Sequence, residues 1–179
     1  CVRYDPILLN SKYNVDYHIR AFNKLCTMLK GYVSKVIVSF VDDYKNVRNN
    51  HLDYHEPSNE EYLKLKEAFE KNDMKIVSCM ENKYHIGDEK DCCISIKYAF
   101  ERTGKLFKEW KARDCHCVNM VDVGAYNSCL HGCKYCYANF DSKQIVSNYK
   151  MHDVPLKPNG DANGSRQIET VESVILIFF

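Results

Sequence analysis

Three cysteines crowd into Cys129-Leu-His-Gly-Cys133-Lys-Tyr-Cys136, the stretch of the chain richest in coordination chemistry. Thiolates are soft ligands that suit iron–sulfur clusters and zinc. Three of them within eight residues can wrap one face of a cubane four-iron four-sulfur (4Fe-4S) cluster and leave one iron without a protein ligand. Structural zinc needs four protein ligands, and Cys115, Cys117 or His131 could supply the fourth. The spacing favours iron–sulfur over zinc, and either metal over disulfides or free thiols. His131 reads as a neighbour of the site rather than a ligand. Gly132 suits the loop because a residue without Cβ lets backbone approach a cluster closely.

The chain has ten cysteines in 179 residues, five of them between Cys115 and Cys136. Secreted disulfide frameworks are usually much shorter and poorer in helix, so the clustering points to metal in a reducing compartment, and the chain is expected to be cytoplasmic. Cys79, Cys93, Cys115 and Cys117 are candidates for a second four-thiolate site, either another iron–sulfur cluster or zinc. The alternative is that Cys79 is core and the rest incidental, since a buried free cysteine behaves as a small hydrophobe. Cys1 and Cys26 read as structural.

The elements that must position these groups follow from periodicity. Val2 to Leu9 reads as a strand broken by Pro6. Val15 to Lys30 reads as a helix with Val15, Ile19, Phe22, Leu25, Cys26 and Leu29 on one face, capped by Asn14 and ended by Gly31. Lys35 to Val41 is a β-branched run of the kind buried on both faces of a sheet. Ser58 and Glu61 form a capping-box pattern for a helix to about Lys71. Met74 to Met80 reads as a third strand, and Ile94 to Arg102 as a helix stopping near Gly104. Three βα units predict an α/β fold with a parallel sheet, about half of a TIM-like βα barrel, over residues 1–104. Residues 105–153 are the Cys-rich region, with a short helix from Lys143 to Lys150. Residues 154–179 read as a linker and tail, its last stretch from 168 a strand without a clear place.

Chemistry in barrels sits at the C-terminal ends of strands. Arg3 and Asp5, Asp42 and Lys45, and Glu81 stand in or just after the three predicted strands and are therefore candidate ligand-binding residues. For any one of them an ordinary polar loop residue is the simpler reading. A formal net charge of +1 gives no electrostatic reason to expect nucleic acid. The basic residues Arg102, Lys105, Lys108, Lys111 and Arg113 alternate with Glu101 and Glu109, as on a solvated face. No apolar run approaches the length of a membrane span, so no membrane partner is expected.

The cysteine loop, with Tyr135 just before its last thiol, is similar to the cluster loop of radical-SAM enzymes, in which the open iron chelates S-adenosylmethionine. Arg3-Tyr4-Asp5-Pro6-Ile7, Ser39-Phe40-Val41-Asp42 and Asp122-Val123-Gly124-Ala125-Tyr126-Asn127-Ser128-Cys129 through Asn139 resemble the bacterial domain-of-unknown-function 1848 family. The likeness runs from Val2 to about Asp153. It implies a radical-SAM relative built on a barrel, with S-adenosylmethionine as cofactor beside the cluster. With a start on Cys1 rather than Met, it also implies a piece lacking roughly the first half of that barrel. Unlike most radical-SAM enzymes, the cluster loop follows the third strand rather than the first, and no Gly-Gly-Glu-like segment is visible. The expected function is reductive cleavage of S-adenosylmethionine, with an electron donor and a small-molecule or macromolecular substrate still to be identified. The competing expectations are an iron–sulfur electron carrier or redox sensor without that chemistry, and a zinc-stapled binding module.

Overall fold

A computed structural model describes residues 1–79, 81, 83–88, 92–111, 116–119 and 126–152. The end of the predicted third strand at Met80, residues 122–125 of the family-like stretch and the predicted linker and tail from 154 lie outside them. The chain divides into two units, one of residues 1–41 and 53–119, the other of residues 42–52 and 120–179.

The first unit is built on three parallel strands, β1 (Val2–Ile7), β2 (Lys35–Phe40) and β3 (Lys75–Ser78), in the order β1-β2-β3. Between them run α1 (Val15–Leu29) and α3 (Asn59–Glu70), with α4 (Ile96–Thr103) following β3. Alternation along a strand sends even-numbered side chains of the sheet to one face and odd-numbered ones to the other. Val36, Val38, Phe40 and Ile76 join Phe22 and Cys26 of α1 and Leu65 and Phe69 of α3 in one buried cluster. Both helices therefore cover the even face. Tyr4 meets Phe22 edge-on at 5.3 Å, and the Phe22 and Phe69 rings stack at 3.8 Å. Full burial of an aromatic side chain of this size stabilises the fold by about 1.5–3 kcal/mol.

β1 continues past Pro6, and the interruption the sequence predicted there is an irregularity in its pairing with β2. β1 is an edge strand of the described sheet, a place where a missing N–H is tolerated. The register slips by one residue, from Tyr4↔Val38 to Ile7↔Phe40. An extra residue turns the side-chain alternation over, so Ile7 joins the core while Arg3 and Asp5 stay on the opposite face. Asn14 caps α1 by accepting from the Tyr17 N–H at 2.9 Å. Ser58 and Glu61 close the capping box of α3 in both directions, and α4 ends at Gly104 in the left-handed region at φ 70°.

The second unit holds α2 (Lys45–Asn49) and α5 (Ser142–His152). α2 is a single helical turn, too short for a periodic pattern to mark it in the sequence. No described helix is long and apolar enough to cross a membrane.

Candidate metal centre

The Cys129–Cys136 loop belongs to the second unit, where asparagine side chains tie its backbone down. Asn46 of α2 donates to the Cys136 carbonyl at 2.7 Å, and Asn50, one turn on, donates to the Lys134 carbonyl at 3.3 Å. Residues four apart share a helix face, so a one-turn helix suffices to present both amides to the loop. At the loop's neck, the Asn127 side-chain oxygen accepts from the Phe140 and Asp141 N–H groups at 2.7 and 2.9 Å. The Asn127 N–H donates to the Ala138 carbonyl at 2.9 Å, and Asn139 bonds both backbone groups of Cys129. Asn127 sits at φ 53°, a conformation asparagine enters more readily than most residues.

Within the loop, the Cys136 N–H donates to the Cys133 carbonyl at 3.1 Å. Gly132 stands at φ 62°, and a Cβ built there meets nothing within 4 Å. That backbone angle is one that L side chains rarely adopt, and it calls for glycine. Cys129 and Cys133 are exposed and Cys136 half-buried. Around them, Tyr137 contacts Tyr44 at 6.0 Å and Tyr126 at 6.3 Å, and all three tyrosines keep much of their surface open.

A second group of cysteines lies in the first unit, on the odd face of the sheet. Cys79 follows β3 and extends the ladder through its N–H to the Val38 carbonyl at 2.9 Å. Cys93 precedes α4, and Cys117 sits in a short antiparallel bridge to Ser95. The thiol of Cys93 is hydrogen-bonded to Cys79 and to Cys117. Arg3 reaches the same place, its Nη1 3.8 Å from the Cys93 sulfur. The hydrogen bond from Cys93 holds the Cys79 thiol down to about 6 against the burial that opposes its ionisation, and Arg3 adds to the effect. Its hydrogen bonds to Cys117 and Cys79 push the Cys93 thiol strongly up. Burial opposes the charge on Arg3, but Cys79 and Asp5 outweigh it and the guanidinium stays firmly protonated. Asp5 fixes Arg3 through Nε at 2.7 Å and an ion pair, and the Ser39 hydroxyl donates to Asp5 in turn.

Among the described residues, no three His, Cys, Asp or Glu side chains are already drawn together into a ready set of metal ligands. Cys115 lies outside those residues. Of the residues expected at the strand ends, Arg3 and Asp5 are joined. Glu81 accepts a hydrogen bond from the Phe40 N–H and so clamps the end of β2. Asp42, which accepts from the Tyr44 hydroxyl at 2.7 Å, and Lys45, at the start of α2, belong to the other unit. Ser39, Asn127 and Asn139 stand in the family-like stretches without an assigned role, and Asn46 and Asn50 carry no local spacing signal.

A family described as a domain of unknown function, DUF1848, matches residues 1–138. The chain belongs to this family. The matched span includes the whole Cys129–Cys136 loop as well as Cys79, Cys93 and Cys117. No curated protein and no solved structure matches the chain.

Proposed function

We propose that the chain holds a 4Fe-4S cluster on Cys129, Cys133 and Cys136 and acts as a radical-SAM-type enzyme. The observation that carries this reading is a contrast within one loop: four asparagines fix its backbone while two of its three thiols face solvent. A second fact supports it. Among its described residues the second unit buries only Asn46, Val47 and Asn127, so this described part has almost no apolar core. Units of that kind are commonly held together by metal or disulfides. Thiols not yet gathered fit ligands that close on a metal as it binds.

Cys129, Cys133 and Cys136 would hold the cluster, which when bound would supply the electron for reductive cleavage of S-adenosylmethionine. The chain's own part is to fix the loop and to surround it with the Tyr44, Tyr126 and Tyr137 rings. We take β1–β3, with α1 and α3 on one face, to be an arc of a βα barrel. Asp5 and Ser39 then stand on its interior face near the C-terminal strand ends, the usual place for substrate groups, with Arg3 bonded to Asp5 from earlier in β1.

The test is anaerobic reconstitution of the full chain with iron and sulfide. About four irons and four sulfides per chain are expected, with loss of both on replacing Cys129, Cys133 and Cys136 by serine. Adding S-adenosylmethionine is expected to change the electron paramagnetic resonance signal of the reduced cluster, and reduction to release methionine. Unchanged iron in the triple variant would overturn the ligand assignment. Zinc without sulfide in protein purified under exclusion of air would make the loop a zinc staple. A cluster that reduces reversibly and ignores S-adenosylmethionine would make it an electron carrier.

A further inference from the structure

Three thiols from three separate segments meet on the odd face of the sheet. Cys79 arrives from β3, Cys93 from the approach to α4, and Cys117 from the bridge beside Ser95. Each backbone is held independently. Cys79 is tied to β2; the Cys117 carbonyl accepts from the Trp110 N–H at 2.8 Å, and the Val118 N–H donates to the Ile94 carbonyl at 3.0 Å. Next to Cys93, the Cys92 carbonyl accepts from the Lys35 ammonium at 2.6 Å. Cys117 is 3% exposed and Cys93 9%.

Burial alone is the ordinary fate of cysteine, and Cys26 in the helix-side core is an example. The group around Cys93 differs in two ways. The sulfurs bond one another instead of packing singly among aliphatic side chains. A guanidinium also stands against them, held there by Asp5. A cation beside sulfurs favours the thiolate over the thiol, and the thiolate is the form that binds metal. Three thiolates on a divalent ion carry one net negative charge, and the Arg3 guanidinium, held in place by Asp5, faces it.

We propose that Cys79, Cys93 and Cys117 form a second metal site, a three-thiolate seat for a soft divalent ion of the zinc class, with the Arg3 guanidinium against it. In the structure the Cys93 thiol is hydrogen-bonded to both of the others. As the ion binds, each protonated thiol passes its proton to solvent while its sulfur–metal bond forms. The fourth coordination position is filled by solvent or by a further ligand. This site uses none of the residues of the Cys129–Cys136 loop, so the two assignments stand or fall separately.

The experiment uses the full chain with Cys129, Cys133 and Cys136 replaced by serine, reduced and free of air, titrated with cobalt(II). Thiolate-to-cobalt charge-transfer absorption is expected, saturating at about one ion per chain and abolished by zinc. Cys79→Ser is expected to weaken cobalt binding at least roughly 100-fold, and Arg3→Gln about 10-fold. Alkylation mapping of the unmutated chain is independent of whether any variant folds: zinc is expected to shield Cys79, Cys93 and Cys117 while Cys1 stays reactive. Absence of charge-transfer bands in a chain that keeps its helical circular dichroism would overturn the proposal. So would bands that survive Cys79→Ser, which would be adventitious binding, or zinc shielding that leaves these three cysteines open to alkylation.

Discussion

His18 shows how one side chain reports on the core around it. Its Nε2 faces the Leu8 carbonyl at 2.8 Å, and a carbonyl can only accept, so Nε2 carries the proton. Nδ1 then accepts from the Tyr4 hydroxyl at 2.8 Å. Burial lowers the His18 pKa, against a smaller raising effect of the Leu8 carbonyl. The folded state thus binds this proton less readily than the unfolded chain, where the group titrates near 6.5. The contribution of neutral His18 is fully present above that value. It is lost as pH falls from there through the lower folded-state value. Urea unfolding at pH 7.5 and at about pH 5 is expected to show a fall in midpoint that is smaller in His18→Gln, which keeps a donor and an acceptor. An equal fall in both proteins would show that His18 does not carry the effect.

At the scale of elements, α3 isolates the worth of one cap. Glu61 accepts from both the N–H and the hydroxyl of Ser58 at 2.9 Å, and the Ser58 oxygen accepts from the Glu61 N–H at 3.3 Å. Ser58→Ala removes one side of the box and is expected to cost about 1 kcal/mol, read as a lower urea midpoint at unchanged slope. A midpoint equal to that of the parent chain would mean that Phe69 and Leu65 anchor α3 without help from its cap. The box was legible in the sequence because its two residues are three apart, as were α1, β2 and the Gly104 stop, each set by local spacing. What escaped notice depends on distant partners. α2 has no period to read, and its asparagines gain a role only through carbonyls some ninety residues on. The passage of β1 through Pro6 depends on its edge position, which no single strand reveals. The three loop thiols were conspicuous by spacing. The bond of Ser39 to Asp5 joins two strands and leaves no mark on either.

Across the whole molecule, the two units are stabilised by different means, and this difference can be measured. The first buries Phe22, Leu65, Phe69, Val36 and Val38 in one continuous cluster. The described part of the second buries Asn46, Val47 and Asn127, and its loop is held by side-chain amides bonded to backbone carbonyls and N–H groups. Such bonds contribute only about 0.5–1.5 kcal/mol each, too little to hold a loop shut on their own against the entropy of ordering it. A ligand that binds only the closed form stabilises that form by mass action. Amide hydrogen exchange on the full chain, with and without anaerobic iron and sulfide, should therefore show slowing concentrated in the amides of residues 127–141. The strands β1–β3 have their own apolar core and are expected to exchange at the same rate in both states. The Cys136 N–H is the sharpest reporter, since its bond to the Cys133 carbonyl spans two of the proposed ligands. If iron and sulfide bind and exchange at that amide does not slow, the ligands are not in this loop, whatever the iron content shows.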